Sequence, residues 1–462
     1  MAETAFPSES APAAHVIARS QRIAWAVLLI AFGVFCALCV ITGVGLNYFI
    51  FQSRVPMPTE LVVGRGTVGM TGTDLIETVV RTSRELYNSA VISTDGQSQA
   101  TLSFLDQQSG RQLVASVTVK KNTLLDLETV SRPRFDVSSE PYDVLIEDLS
   151  GAVDVFIPND LDRAIRVSIR TPQGAWALMT SPGFYSIRAG ENDLIVNNMT
   201  GTALLVSPDQ VGSSVPPGER GVFTYATEAS AAGFVSMPAF TDLITNSTFE
   251  HTNAAITTDA DPRELPLSWG CADQVNEPPS GYYGITRVDG RVVMHLRRGG
   301  GASSHGETFC VQSFGPPGTP GRDVTAYSYL SLRTTFRIQG QSLSTCGIRG
   351  SECPLMMQIT YIDIYGRQQQ WYHGFYTYLN PNLSYPLSCD SCRQEHEPIN
   401  ANTWYTYESD NLYSLISSLE RPQSIQEVRF YASGHEYDVI VSSVSLLAGS
   451  SEFAAVAQAV GR

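Results

Sequence analysis

The sequence contains very little lysine. Only Lys120 and Lys121 are lysines among the 30 basic residues, against 45 acidic residues, so the formal net charge is -15 at pH 7. No arginine cluster offsets this charge, and a negatively charged protein repels a phosphate backbone. The composition therefore argues against nucleic acid as a partner. The preference for arginine over lysine is typical of a GC-rich bacterial genome.

The sequence also lacks the motifs of common active sites. A nucleophile elbow, a paired-histidine metal motif, a phosphate-binding loop and a dinucleotide fingerprint are all missing from their required contexts. The glycine-rich stretch 298–306 has neither the lysine nor the following helix of a phosphate-binding loop, and we interpret it as a flexible loop. We therefore expect no enzymatic activity, although two carboxylates that are distant in sequence can still meet in space, as in glycoside hydrolases.

Charged residues make up only 16% of the 462 residues, while Gly, Ser, Thr, Tyr and Val are plentiful. This balance is typical of proteins built from strands and turns. The length suffices for two or three domains that each bury a core. The predicted fold class is mainly β, with a single N-terminal transmembrane helix followed by two β domains.

One apolar run stands out near the N-terminus. The 24 residues from Ile23 to Leu46 carry no charge, which is enough to cross a bilayer as a helix. A cleaved signal peptide is the alternative, but its apolar region is normally shorter and ends in a small-x-small cleavage site. Arginines on both flanks leave the orientation open by charge. Six cysteines C-terminal to the helix favour an oxidising compartment, so we expect a single-pass plasma-membrane protein with extracellular C-terminal domains.

Composition and strand periodicity divide the chain into seven segments. Prolines near the membrane and small residues around 230 indicate linkers, and alternating apolar residues indicate strands on both sides of them. The predicted segments are a cytoplasmic tail (1–22), the transmembrane helix (23–46), a linker (47–60), a first β domain (61–228), a second linker (229–240), a β-sandwich (241–449) and a flexible tail (450–462).

The first β domain resembles FecR-like domains. The similar segments are Asn88–Asp106, Thr171–Ile187, Leu194–Val196, Gly201–Val206 and Pro216–Gly221, and the resemblance covers about residues 61–225. It implies a periplasmic or extracellular β-rich module that is often tied to sigma-factor signalling. Only 22 residues precede the helix, too few for a folded cytoplasmic domain of about 40 residues. A sigma-factor partner would therefore have to bind a peptide.

The second β domain resembles galactose-binding-like jelly rolls. The likeness is carried by Asn246–Glu250, Trp269 and the terminal strand Tyr437–Leu447. The resemblance implies a sugar-binding module in which aromatic rings stack on the apolar face of a sugar and polar groups bind its hydroxyls.

Two aromatic runs are the candidate ligand-binding sites. The predicted ligand-binding residues are Trp371, His373, Trp404, Tyr405 and Tyr407. Alternation along a strand places Trp371 and His373 on one face and Tyr372 on the other, and packing in the core is the alternative role for each ring. Asp363 and Glu408 are candidate acceptors for sugar hydroxyls or ligands for calcium, and no organic cofactor is expected.

The cysteines outside the helix form three close pairs in sequence. Nearest-neighbour pairing gives the disulfides Cys271–Cys310, Cys346–Cys353 and Cys389–Cys392, one of fifteen connectivities that six cysteines allow. A zinc site formed by the last four cysteines and a redox-active Cys-x-x-C motif are the alternatives. Cys36 and Cys39 lie within the apolar helix, where packing or palmitoylation is expected.

These observations favour a bacterial, membrane-anchored surface protein. Its outer β-sandwich would bind carbohydrate or cell-wall material, and its FecR-like module would act as a spacer or signalling element. Two alternatives stay open: a transmembrane signalling regulator that acts through protein contacts, and a structural envelope protein.

Overall fold

The computed structural model describes residues 14–72, 76–86, 89–108, 110–226, 231–256, 262–275 and 277–449. The protein is mainly β with one apolar N-terminal helix and β-sandwich sheets, which confirms the predicted fold class. The predicted tail 450–462 and residues 1–13 of the predicted N-terminal tail lie outside the described residues.

The helix α1 (Ala14–Phe51) extends beyond the predicted span at both ends. Its segment Gln21–Phe51 is long and apolar enough to cross a membrane, with a mean hydropathy of 2.8. The five residues 47–51, predicted as linker, continue the helix because four of them are large and apolar or aromatic. None of the most apolar part of the helix is buried against the rest of the chain.

The end of α1 packs on the segment 132–141, and together they form one compact unit. The rings of Phe49 and Phe135 meet edge to face at 5.4 Å, and the Arg134 guanidinium lies 5.4 Å from the Phe49 ring. The guanidinium of Arg54 donates to the carbonyl of Pro141 over 2.7 Å. These contacts hold the end of the helix against the segment 132–141.

The remaining described residues form a second compact unit that contains two β modules. The first β module comprises residues 56–238 outside the segment 132–141. The strands up to its end are β1 (Arg54–Pro56), β2 (Thr59–Arg65), β3 (Val68–Thr71), β4 (Glu77–Val80), β5 (Ser83–Leu86), β6 (Ala90–Thr94), β7 (Gln99–Asp106), β8 (Gln112–Val119), β9 (Leu124–Pro133), β10 (Tyr142–Ile157), β11 (Ile165–Arg170), β12 (Trp176–Met179), β13 (Gly183–Ala189), β14 (Asp193–Thr200), β15 (Ala203–Val206), β16 (Gly212–Val215), β17 (Glu219–Thr224) and β18 (Gly233–Pro238).

The long strand β10 joins two sheets of the first β module. Residues 142–150 pair with β9 and β11, whereas residues 151–157 pair with β8 and β13. The change of sheet occurs at Gly151, whose φ of +114° is rarely adopted by residues with a side chain. A Cβ at this position would lie 2.7 Å from the carbonyl oxygen of Asn122. Only glycine therefore fits this crossing point without a shift of the backbone.

Alternating apolar side chains from both sheets fill the core of the first β module. Val153, Val155 and Ile157 of β10 are buried on one face of the strand. Strand β18 pairs with β17, and Phe234 packs on Phe223 at a ring distance of 4.9 Å. The segment 229–240, predicted as a linker, therefore contributes a strand to this module because its apolar ring completes the core.

The second β module comprises residues 241–449. Its elements are β19 (Thr241–Asp242), β20 (Thr252–Ile256), β21 (Pro262–Pro266), β22 (Gly270–Val275), β23 (Tyr282–Val288), β24 (Arg291–Arg298), β25 (Gly306–Ser313), β26 (Arg322–Asp323), β27 (Tyr329–Gln341), β28 (Leu355–Asp363), β29 (Gln368–Tyr376), β30 (Glu397–Pro398), β31 (Tyr405–Glu408), the helix α2 (Leu412–Leu415), a 3₁₀ turn (Ser418–Glu420), β32 (Pro422–Gly434) and β33 (Tyr437–Gly449).

Two sheets form the sandwich of the second β module. The front sheet has the strand order β23-β24-β33-β27-β31, and the back sheet has the order β22-β25-β32-β28-β29-β30. Their inner faces enclose one hydrophobic cluster that includes Phe336, Trp371, Phe375, Phe430 and Val441, all fully buried. The front and back sheets therefore each have one outer face that does not contribute to this core.

The outer face of the front sheet is occupied by the first β module. Asp154 of β10 is buried and pairs with Arg333 of β27 at 2.6 Å, and Lys120 contacts both Asp154 (3.2 Å) and Glu408 (2.8 Å). The amide of Gln99 exchanges two hydrogen bonds of 2.9 Å with the backbone of Thr406. These contacts place charged and polar groups of both modules in one buried network.

Candidate functional site

Four of the five predicted ligand-binding side chains are buried inside the second β module. Trp371 and His373 lie on the inner face of β29, and Tyr405 and Tyr407 lie on the inner face of β31, each with 5% exposure or less. The His373 ring stacks on Tyr407 at 4.6 Å and on Trp371 at 6.0 Å. These four residues were predicted to bind a ligand, and the structure corrects this prediction. Their rings form an internal stack, because the alternating positions of these strands face the apolar core.

Trp404, the fifth candidate, contacts the network between the two β modules. Its indole N–H donates to Asp289 over 2.9 Å, and the guanidinium groups of Arg291 and Arg337 lie 5.2 and 5.0 Å from its ring. Arg291 also lies 4.0 Å from the ring of Phe156 in the first module. Cation–π contacts of this kind are favourable when the cation is desolvated. Trp404 therefore has a packing role here rather than an open ring face.

A polar network surrounds the buried histidine. The Gln394 amide donates to Nδ1 of His373 at 3.1 Å, and Tyr405 donates to Glu397 at 2.7 Å. Arg65 of the first module pairs with Glu397 at 2.7 Å. Although burial opposes ionisation, the nearby His373 ring and the charge of Arg65 hold the pKa of Glu397 below its ordinary value. This network extends the contact between the modules into the core of the second one.

The open aromatic and polar side chains lie instead on the outer face of the back sheet. Cross-strand register places Phe309, Tyr431 and Met356 in a first row, Arg429, Gln358 and Tyr372 in a second row, and Glu427, Thr360 and Gln370 in a third row. We call these nine residues the polar sheet face. Their neighbours in each strand, such as Phe430 and Trp371, point into the core, so strand alternation alone sets the composition of this face.

Arg429 is at the centre of the polar sheet face. Its guanidinium lies 4.1 Å from the ring of Phe309 and 4.8 Å from that of Tyr431. It forms an ion pair with Glu307 and donates to the amide oxygen of Gln358 over 3.2 Å. The side chains of Arg429 and Glu307 each keep 18% exposure, so the pair is partly accessible. An arginine fixed between two rings is a preorganised donor.

Uncharged hydrogen-bonding groups flank this arginine. The hydroxyl of Tyr372 donates to Gln370 over 2.8 Å, and that of Thr360 donates to Glu427 over 3.0 Å. Burial raises the pKa of Tyr372, so its phenol stays protonated. Tyr372 is half-buried and Gln370 is exposed. Thr360 and Gln358 are buried, so the second and third rows offer a ligand the ring and hydroxyl of Tyr372, the amide of Gln370 and the carboxylate of Glu427.

A disulfide loop covers the first row. The Cys346–Cys353 bridge forms a small apolar cluster with Met356, Tyr376 and Tyr431, and the backbone of Ser433 donates to the carbonyl of Cys353 over 3.0 Å. Met356 and Tyr431 are buried as a result. The accessible part of the polar sheet face therefore begins at Arg429 and Tyr372.

The two candidate calcium ligands bond to donors of the protein itself. Asp363 is buried and accepts hydrogen bonds from the backbone of Tyr365, from the backbone and guanidinium of Arg367, and from Gln369. Although burial opposes ionisation, these donors hold the pKa of Asp363 at about 2. Glu408 pairs with Lys120, and despite burial the positive charges beside it hold its pKa at about 2. Calcium at either position stays a prediction.

The six cysteines outside the helix lie at disulfide distance in the three pairs expected from the sequence: Cys271–Cys310, Cys346–Cys353 and Cys389–Cys392. The first pair bridges the neighbouring strands β22 and β25. The four sulfurs of the alternative zinc site are thus held in two disulfides. The helix residues Cys36 and Cys39 carry free thiols on its exposed surface.

Tyr372 belongs to one of the two candidate aromatic runs but not to the five predicted ligand-binding residues. It lies between two predicted site residues in the run Trp371-Tyr372-His373, and alternation assigned it to the opposite face. The neighbouring residues of β29 identify the outward face. Gln368 and Gln370 lie on the same side of the strand as Tyr372, whereas Phe375 lies on the side of Trp371. The more polar of two alternating faces is the exposed one.

Comparison with known proteins assigns no family to the chain. No family model matches it, and no curated protein matches it. A Parabacteroides distasonis ATCC 8503 protein described as an anti-sigma factor shares 15% identity, with 32% of this chain and 59% of that chain covered and a TM-score of 0.23. This chain thus spans little more than half the length of that protein.

Two carbohydrate-binding modules are also similar. The family 11 module from Clostridium thermocellum, in complex with a beta-1,3-1,4-mixed-linked tetrasaccharide, shares 12% identity over 43% of this chain and 96% of that chain, with a TM-score of 0.23. The CBM22-1 xylan-binding domain of Paenibacillus barcinonensis Xyn10C shares 9% identity over 46% of this chain and 97% of that chain, with a TM-score of 0.25. Likenesses this weak assign no ligand to this chain.

Proposed function

We propose that the protein is a membrane-anchored, non-enzymatic binding protein of the bacterial surface that holds a polysaccharide on the polar sheet face. The observation that carries the proposal is the second row, in which a half-buried tyrosine lies across one strand from an arginine clamped between two rings. Tyr372 supplies a ring for the apolar face of a sugar, and Arg429, Gln370 and Glu427 supply hydrogen bonds to hydroxyls.

The anchor is supported by the helix α1. The most apolar part of its 31-residue span is not buried by the rest of the chain, and an exposed apolar helix of that length is stable in a bilayer rather than in water. The three disulfides favour an oxidising compartment for the β modules, so these modules would lie outside the cell.

The charges of the site favour a neutral polysaccharide. Arg429 is neutralised by its ion pair with Glu307, and Glu427 adds a further negative charge. An acidic polymer would therefore meet a face with a net negative charge, whereas a neutral chain of hexoses or pentoses would use the ring and the amides without repulsion.

Affinity electrophoresis of the full-length protein in detergent micelles tests this proposal. Gels would contain neutral β-glucan, xylan, an acidic polygalacturonate or bacterial peptidoglycan, each with and without calcium. We expect slower migration in at least one neutral polymer and none in the acidic polymer. Binding to the acidic polymer alone would contradict the charge argument. If every polymer failed to bind, a protein partner would replace the glycan, as in the signalling and structural alternatives.

A further inference from the structure

The three disulfides differ in how accessible they are. Cys346 and Cys353 are fully buried, and Cys310 of the first pair is fully buried as well. Cys389 and Cys392 are both half-buried and lie in the loop between β29 and β30. Only two residues lie between Cys389 and Cys392, so this bridge constrains the fold less than the other two.

The two sulfurs of the exposed bridge have different surroundings. Sγ of Cys389 lies 3.6 Å from the hydroxyl of Ser391. Sγ of Cys392 lies 3.8 Å from Nε2 of His396, a side chain that is 4% exposed. Cys389 therefore has a hydroxyl beside it, whereas Cys392 has an imidazole.

The hydrogen bonds of His396 fix which of its ring nitrogens carries the proton. The backbone N–H of Gly374 donates to Nδ1 over 2.9 Å, so Nδ1 must be the acceptor. Nε2 therefore carries the hydrogen, and it lies 2.6 Å from the carbonyl oxygen of Gly350. Burial lowers the pKa of His396 to about 4, which keeps this neutral tautomer at physiological pH. The N–H on Nε2 is thus donated to the carbonyl of Gly350, and Sγ of Cys392 is a second, more distant neighbour of the same nitrogen at 3.8 Å.

We infer that Cys389 and Cys392 form a thiol–disulfide exchange site that reacts with dithiols, while the other two bridges are structural. The Cys-x-x-C spacing and the partial exposure of both cysteines leave this bridge open to attack by a thiolate, whereas Cys310, Cys346 and Cys353 are fully buried. His396 acts as a positioning residue in this assignment, since its N–H, which Gly350 accepts in the oxidised protein, would be shared with the thiolate of Cys392.

The exchange proceeds in two balanced steps. A thiolate of the external dithiol attacks Sγ of Cys389, a mixed disulfide forms, and the electron pair of the broken S–S bond leaves on Cys392. The second thiolate of the dithiol then attacks its own sulfur in the mixed disulfide and releases Cys389. The dithiol is oxidised by two electrons to its disulfide, and its two protons end on the two cysteines.

Other charged groups also surround the bridge and affect the stability of a thiolate formed there. The titratable residues of this loop and of the elements packed on it are Asp390, Arg393, Glu395, Glu420, Glu352 and His373. Arg393 is ion-paired with Glu420, which takes up much of its charge. The N–H of His396 is therefore the donor that we expect to distinguish Cys392 from an ordinary thiol.

Redox titration of the oxidised full-length protein in detergent micelles tests the assignment. The protein would be equilibrated at graded ratios of a dithiol to its disulfide, quenched with acid, alkylated, and analysed by peptide mass spectrometry. We expect the Cys389–Cys392 bridge to open at a ratio at least about tenfold lower than either other bridge, which corresponds to about 30 mV. Opening of all three at one ratio, or of this bridge last, would overturn the inference.

The role of His396 has its own readout. In reduced protein, His396→Ala should move the pH midpoint of Cys392 alkylation upward, towards the ordinary thiol value of about 8.5, while His396→Gln keeps an N–H donor and should move it less. A merely structural histidine would leave that midpoint unchanged in both variants, and this result would remove His396 from the site.

Discussion

Removing the negative charge of Asp154 should destabilise the contact between the two β modules. The carboxylate is 3% exposed and accepts hydrogen bonds from Arg333 at 2.6 Å and from Ser186 at 2.5 Å, with Lys120 at 3.2 Å. Asp154→Asn keeps the size of the side chain but leaves Arg333 buried without its counter-charge. Removing one partner of a buried pair costs about 3 to 5 kcal/mol. We therefore expect a loss of about this size in the free energy of unfolding.

Urea denaturation of the full-length protein in micelles, followed by tryptophan fluorescence, measures this loss. The matched control is Glu147→Gln, because Glu147 forms a pair with Arg170 in which both side chains are at least a third exposed. Such a pair contributes about 0 to 1 kcal/mol. Arg333→Gln and the double variant complete a thermodynamic cycle, in which the coupling should be about 1 to 3 kcal/mol. If Asp154→Asn cost no more than Glu147→Gln, the buried network would not hold the modules together.

Three further predictions follow from the core and from the buried histidine. Trp371→Ala should lower the free energy of unfolding by about 3 to 5 kcal/mol, because a fully buried ring leaves a cavity; a loss below about 1 kcal/mol in urea denaturation would place the ring outside the core. Gly151→Ala should cost about 1 to 3 kcal/mol through strain at φ +114°, and an unchanged melting temperature would contradict the crossing point described above. The folded-state pKa of His396 is about 4 and its unperturbed value is 6.5, so the unfolded state binds the proton first as pH falls. Its contribution to stability should therefore be present above pH 6.5 and be lost towards pH 4, and His396→Gln should flatten calorimetric stability across that window.

The sequence predicted those features that depend on short-range patterns. The uncharged run at 23–46 predicted a helix, since an apolar run of this length is typical of one. Alternation along β11 predicted a half-buried strand, and Ile165, Val167 and Ile169 are indeed buried while Arg166 and Arg170 are exposed. These features are set by residues a few positions apart, so they can be read from one sequence.

Features that depend on distant segments could not be predicted in this way. Alternation separated Trp371 from Tyr372 but did not say which of the two faces was covered, because the covering strands are 30 or more residues away in sequence. The contacts of Trp404 could not be predicted for the same reason, because its partners Asp289 and Arg291 lie more than 100 residues upstream. The charged contact between Asp154 and Arg333 joins residues 179 positions apart, and no local pattern marks it.

The most direct test of the central claim compares two tyrosines of the back sheet. Tyr372 lies on the polar sheet face, whereas Tyr365 is 60% exposed in the turn between β28 and β29, outside that face. The assay is isothermal titration calorimetry of the full-length protein with the polysaccharide that slows its migration in the gels. Tyr372→Ala should weaken binding by at least about tenfold, which corresponds to about 1.4 kcal/mol. Tyr365→Ala should change the affinity less than about twofold. Equal affinities of the two variants and the wild type would contradict binding at the polar sheet face.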